Sequence, residues 1–330
     1  MAKKTKIVRE FPLNANGNEV KDWLEKKIGN LDFEGVSFKG KDVSEIDFSE
    51  AKNLTAKQLF QAKTLFNIKL PDGMDCEGIK LKGKNVHDID FSKAKNLTWE
   101  QISVASNFNN TILPEMDFTD VSFRFMDIQG VDFSKAKNLT AKQILEANIF
   151  FGVKFPDGTD FKGISLKDQM IMQTDFSNVK NLTWAQIIEA SNYRRIKLPE
   201  IDFKGVSFID NDISGIDFSK VKNLTAKQII EAKSFVNITL PDGMDFKEIS
   251  FKDKNISYID FSKAKNLTAK QITEAESFYG VILPEMDFKG VSFKGKSINR
   301  IDFSKAKNLT IKQIEEAEAN SNLILPDYLK

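Results

Sequence analysis

The chain has 330 residues, yet it holds one cysteine, Cys76, and one histidine, His87. A single thiol excludes a disulfide framework and any cysteine zinc cluster. A single imidazole excludes multi-histidine metal sites and leaves almost no room for a Ser-His-Asp device. No run of about 18 apolar residues occurs, so no membrane-spanning helix is expected. An excess of one charge is missing too: 48 Lys and Arg face 47 Asp and Glu, a formal net charge of +1. That balance argues against an acidic decoy and against a globally basic nucleic-acid binder. Tyrosine and tryptophan are scarce, at 4 and 3, whereas phenylalanine numbers 28. With 41% hydrophobic and 29% charged residues, the chain can bury a core.

What is present is repetition. Asn-Leu-Thr begins at Asn53, Asn96, Asn138, Asn181, Asn223, Asn266 and Asn308, with spacings of 43, 42, 43, 42, 43 and 42. The tripeptide is a glycosylation acceptor by motif, but no signal peptide accompanies it and repetition accounts for it better. Phe33, Cys76, Phe118, Phe161, Phe203, Phe246 and Phe288 keep the same beat. The extra residue is the glycine of Pro-Asp-Gly after Pro71, Pro156 and Pro241, where Pro114, Pro199 and Pro284 are followed by Glu. The reading is seven repeats of about 42 residues, organised as an 85-residue double repeat. No linker composition interrupts them, so 31–330 is expected to be one solenoid domain.

A shorter period of five runs inside each repeat. Phe288, Phe293, Ile298 and Phe303 are five apart, as are Phe203, Phe208, Ile213 and Phe218. The first, second and fourth of these places give 21 positions over seven repeats, and 18 hold Phe. The exceptions are Cys76, Leu81 and Leu166. Five fits neither the helical nor the strand period. It fits a chain that turns a corner every five residues and points one large apolar side chain inward from each side.

These residues resemble the pentapeptide-repeat family, whose pattern is Ala-Asp/Asn-Leu-x-x with Phe allowed for Leu. The resemblance covers about half of each repeat, for example Met286 to Asn308, and implies a right-handed quadrilateral β-helix with four pentapeptides to a coil. Three departures stand out. Leu309 falls six residues after Phe303. The third side carries Lys41, Lys84, Gln169, Asn211, Lys254 and Lys296 where the family expects a small inward residue. And every repeat carries a helical excursion, Asn-Leu-Thr-x-x-Gln followed later by Leu-Pro.

The excursion has its own signal. Thr225 and Gln228 form a capping box, repeated at Thr268 with Gln271 and Thr310 with Gln313. Ile229, Ala232 and Val236 are expected on one face of a helix of about three turns. A helix is about 10–12 Å across, whereas β-coils stack at about 4.8 Å, so one helix per coil cannot stack on a straight side. Either the solenoid curves, or successive helices leave at alternating positions. Trp99 and Trp184 lie one double repeat apart, where Ala56, Ala141 and Ala226 stand in other repeats, and that beat favours alternation. Residues 1–10 read as a mobile basic tail. Over 11–30, Asn18 to Gly29 reads as a helix capping the first coil, with Val20, Trp23, Leu24 and Ile28 on one face.

Catalytic chemistry finds no foothold. Asp47, Asp90, Asp132, Asp175, Asp217, Asp260 and Asp302 form a column of equivalent carboxylates. A general acid and base need environments that differ. His87 stands alone and reads as a solvated side chain. Cys76 takes an inward place and reads as an inert buried thiol. The asparagine column reads as stacked amides bonded to one another and to the corner backbone. Lys135, Lys137 and Lys142, with Lys220, Lys222 and Lys227, would make a basic ridge. The third side is the informative irregularity: outer repeats read Lys-Gly-Lys, at 39–41, 82–84 and 294–296. The middle ones place Arg124, Phe125, Met126, Met170, Met172 and Ile209 there or beside it. Large apolar groups outside a coil mark a candidate partner-binding patch.

The sequence therefore points to a non-enzymatic protein-interaction scaffold, of the kind a bacterial effector or inhibitor would use. No cofactor, metal or membrane is expected, and nucleic acid is a disfavoured partner. Rival readings are self-assembly end to end and polyanion binding along the lysine ridge. The topoisomerase-directed DNA mimicry known for some family members needs an acidic surface, which +1 does not supply. A homodimer through the C-terminal end would cover an open coil, and so would the last helix, Ile311 to Asn320, folded over that end. The expected location is cytoplasmic, or outside the cell by a route that needs no signal peptide.

Overall fold

The computed structural model describes residues 32–330. The tail and cap expected over 1–10 and 11–30 lie outside the described residues. The chain divides into two compact bodies, one ending at Asp160 and one beginning at Phe161, and each is described by itself. Among the described residues no helix is long and apolar enough to cross a membrane.

Each body is wound as coils whose backbones pair in parallel. In the first body Asp32 pairs with Lys52, Asp42 with Thr64 and Asp47 with Lys69. In the second, Asp202 pairs with Lys222, Asp212 with Ser234 and Asp217 with Thr239. A coil thus takes 20 to 22 residues, and a 42-residue repeat contains two coils rather than one. The first is built of four five-residue sides and the second replaces one side with a helix.

This doubling removes the size conflict. Helices recur every second coil, about 9.6 Å apart, which is close to the width of one helix. Neither strong curvature nor alternation is needed to make room for them. The helices are also shorter than the three turns expected: α1 (Ala56–Leu59), α2 (Trp99–Ile102) and α3 (Ala141–Leu145) in the first body. The second body has α4 (Trp184–Ile188), α5 (Ala226–Glu231), α6 (Ala269–Glu274) and α7 (Ile311–Glu315). Ala232 already caps α5 in extended geometry and pairs antiparallel with Ile209. Val236 lies on the next side of the coil, where its carbonyl accepts from the Gly215 amide at 2.9 Å.

The interior is an aromatic ladder with a two-coil period. Phe91 and Phe133 are not successive rungs, because Leu113 stands between them: Phe91 N–H donates to the Ile112 carbonyl, and Leu113 N–H to that of Asp132. The leucine of Leu-Pro is therefore an inward residue of the helix-bearing coil, and proline follows at the corner. Within a plain coil the three Phe rings close on one another, as Phe118, Phe123 and Phe133 do with centroids 5.4–5.8 Å apart. Trp99, at the start of α2, lays its ring on the next coil, 5.4 Å from Phe118 and 5.2 Å from Phe123. Trp184 does the same to Phe203 and Phe208.

Cys76 and Leu81 leave a shortage of ring in their coil, and Phe60 makes it good. It is buried just after α1 with its centroid 6.1 Å from that of Phe91. Burial pushes the Cys76 thiol up to about 12. Native protein should therefore react with a thiol reagent only as fast as it opens, which a labelling time course against denaturant will show. Cys76→Phe should now destabilise by about 1–3 kcal/mol, since Phe60 already fills the space and a further ring overpacks it.

At the C-terminus, α7 holds the same place in its coil as the other helices and does not fold over the end. A short 3-10 turn, Asp327–Leu329, closes the chain instead. The Tyr328 hydroxyl donates to the Ala306 carbonyl at 2.9 Å and accepts from the Leu309 amide at 3.0 Å.

Candidate partner-binding surface

The outer surface is set by what the corners require. In the plain coils the residue before the inward side chain is Asp, Asn or Ser at most sides, and its oxygen commonly accepts the amide two residues on. Asp47 accepts from Ser49 at 3.0 Å, Ser122 from Arg124 at 3.2 Å and Asp217 from Ser219 at 2.9 Å. The carboxylate column is thus a row of corner turns, each tied up in the same structural task. Two residues after the inward side chain, the backbone turns left-handed at three of the four corners, as at Gly35, Gly40 and Glu45. The fourth side is one residue longer, and its left-handed residue is Asn53, at φ 55° and five after Phe48. That extra step is the six-residue slip seen before Leu309, where Asn308 is likewise left-handed.

Parallel coils of 20 to 22 residues, an inward side chain every five and a left-handed corner between sides together decide the architecture. The fold is that of pentapeptide-repeat proteins. No protein-family model and no curated protein matches the chain. Among solved structures, a trypsin-treated form of QnrB1, described as a plasmid-mediated fluoroquinolone resistance protein, is 14% identical. The match covers 80% of this chain and 90% of that one, with a TM-score of 0.14. HetL, a pentapeptide-repeat protein involved in heterocyst differentiation regulation in the cyanobacterium Nostoc, is 12% identical. It covers 95% of this chain and 98% of its own, at a TM-score of 0.13. At such scores the fold rests on the coil geometry itself.

Two polar columns hold the pentapeptide-repeat coils together from outside. The asparagines do not stack on one another, because their neighbours lie one coil away rather than two. Asn53 Nδ2 donates to Asp32 at 2.9 Å, Asn138 to Asp117 at 2.9 Å and Asn266 to Asp245 at 2.8 Å, each 21 residues back. The Thr119 hydroxyl and the Asn138 amide hold the Asp117 carboxyl down to about 2. Part of the lysine ridge is ion-paired. Lys137 pairs with Glu115, Lys222 with Glu200, and Lys93 with Asp72, so the residue after each Pro supplies the counter-charge. Lys135 Nζ meets the Ser92 carbonyl at 2.9 Å. His87 also differs from expectation: it is half-buried, its ring stacked 4.7 Å from Phe66 and its Nδ1 2.5 Å from Asp88 Oδ2.

The third-side residues divide between the bodies. In the first, Phe125 is 85% exposed and left-handed, at φ 68°. Equivalent corners use Gly40, Gly83 and Gly295, or Asp168, Asp210 and Asp253, all with positive φ. Glycine meets that demand without strain, and a bulky side chain does not. The Arg124 guanidinium sits 5.2 Å from the Phe125 ring centroid, a cation–π arrangement. Met126 is half-buried, and its carbonyl accepts the Asn148 amide. In the second body Ile209 is 61% and Met170 47% exposed, whereas Met172 is half-buried. Sequence reasoning missed Val104, just after α2, and Ile188, the last residue of α4, both exposed large aliphatics. A column comparison could have found Val104, because the other repeats place Gln or Glu there, as at Gln61, Glu146 and Glu231.

Proposed function

We propose that the chain is a non-enzymatic scaffold that seats a protein partner on a corner of the solenoid, with Phe125 as its anchor. The observation that supports this reading is Phe125 itself, an almost fully exposed ring held in backbone geometry that costs about 1–2 kcal/mol for a residue with a side chain. Other corners hold Glu45, Gln173 and Tyr258 in the same left-handed geometry, so the reading rests on the exposed ring. Aromatic residues and arginine are the types enriched at interface centres.

Phe125→Gly separates the ring from the fold. The variant should be more stable by about 1 kcal/mol, because glycine relieves the left-handed cost. It should also lose a partner that a photo-crosslinking phenylalanine analogue at position 125 captures and the same analogue at position 295 does not. Equal capture from both positions, or full partner binding by Phe125→Gly, would remove the anchor.

A further inference from the structure

On the third side Met170 stands where four other repeats hold an Asp or Asn that caps the turn. Along the third side, Asp42 accepts the Ser44 amide at 3.0 Å, Asp127 that of Gln129 at 3.1 Å, Asp212 that of Ser214 at 3.0 Å and Asn255 that of Ser257 at 3.0 Å. Met170 holds the same place before buried Ile171. Among the described residues no acceptor meets the Met172 amide, and a thioether sulfur is a weak one. A second donor points at sulfur on this corner: Asn192 Nδ2 lies 3.8 Å from Met172 Sδ. Asn192 is also the bridge partner of Met170 on the next coil. Two donors thus face the corner, and Met170 there is 47% exposed.

We propose that Met170 is a site of methionine sulfoxide formation by hydrogen peroxide, and that the new oxygen takes the role the Asx oxygen plays at the other corners. In the reaction one peroxide oxygen is transferred to Sδ as the O–O bond breaks. Sulfur loses two electrons, and the remaining hydroxide takes a proton and leaves as water. The sulfoxide oxygen is a strong acceptor one bond beyond Sδ, and the unbranched arm can bring it to the Met172 amide or to Asn192 Nδ2. The modification turns an apolar side chain into a polar one while completing the turn beneath it. Met244 and Met286, in the same body, are buried and should be shielded.

Graded peroxide on the intact chain, followed by peptide mass spectrometry, tests the selectivity. Amide hydrogen exchange resolved at Met172 tests the acceptor. Met170 sulfoxide should form at least tenfold faster than sulfoxide at Met244 or Met286, and Met172 exchange should slow several-fold in the oxidised protein. Met170→Asn should slow that exchange without peroxide, and Met170→Leu should not. Oxidation of Met170 no faster than of Met244 would overturn the proposal. So would Met172 exchange that is unchanged or faster in the Met170 sulfoxide while Met170→Asn slows it.

Discussion

Phe133→Ala is expected to lower stability by about 3–5 kcal/mol, the range for emptying a buried aromatic site. Its ring is fully buried and lies 5.5 Å from Phe118, 5.4 Å from Phe123 and 6.5 Å from Trp99. Removing it opens a cavity that the rigid backbone of a paired coil cannot close, and it also ends the edge-to-face contacts. Chemical denaturation compared with Phe125→Ala gives the contrast, since the exposed ring should cost little. A loss below about 1 kcal/mol at Phe133 would mean that the coil collapses around the gap.

Gln143→Leu should cost about 2–3 kcal/mol, although Gln143 sits only half-buried on a five-residue helix. Its Oε1 accepts from the Thr140 amide at 2.9 Å and the Thr140 hydroxyl at 2.8 Å. Its Nε2 donates to the Phe118 and Val121 carbonyls of the preceding coil, at 2.9 and 2.8 Å. Leucine keeps the volume but leaves the Val121 carbonyl and the Thr140 amide without their partners, and orphaned groups of this kind are expensive. Gln143→Glu sharpens the test: it keeps the capping oxygen and loses only the donors. If glutamate is as stable as glutamine, the clasp on the coil below contributes nothing. The same four-bond arrangement recurs at Gln58, Gln186, Gln228, Gln271 and Gln313.

Local rules were legible in the sequence, and relations between coils were not. The phenylalanine columns and the Thr-x-x-Gln boxes follow from spacing alone, and the structure builds them as spacing predicts. The number of coils per repeat escaped because the helix consumes one side, so inward residues such as Leu65, Ile68 and Leu113 do not continue the five-residue beat. The second task of each glutamine escaped for a related reason. Its carbonyl partners lie 22 and 25 residues back, a separation that has meaning only once the coil length is known. Asn138 with Asp117 and Lys137 with Glu115 are the same case. Of the candidate surface, the exposure of Phe125 could be inferred from the Lys-Gly-Lys columns. Its backbone conformation could not, because only the coil geometry shows that the glycines there are left-handed.

The pairing of a plain coil with a helix-bearing one sets how such a chain can grow or shrink. Losing one coil of 21 or so residues would bring two helices to a single coil spacing, where their cylinders overlap. Losing a whole repeat leaves every helix resting on a plain coil as before. Length is therefore quantised in steps of nearly one nanometre, and any surface feature can be shifted along its body only by whole steps. For a ligand that spans several corners of one body, that body acts as a ruler whose smallest graduation is the width of an α-helix.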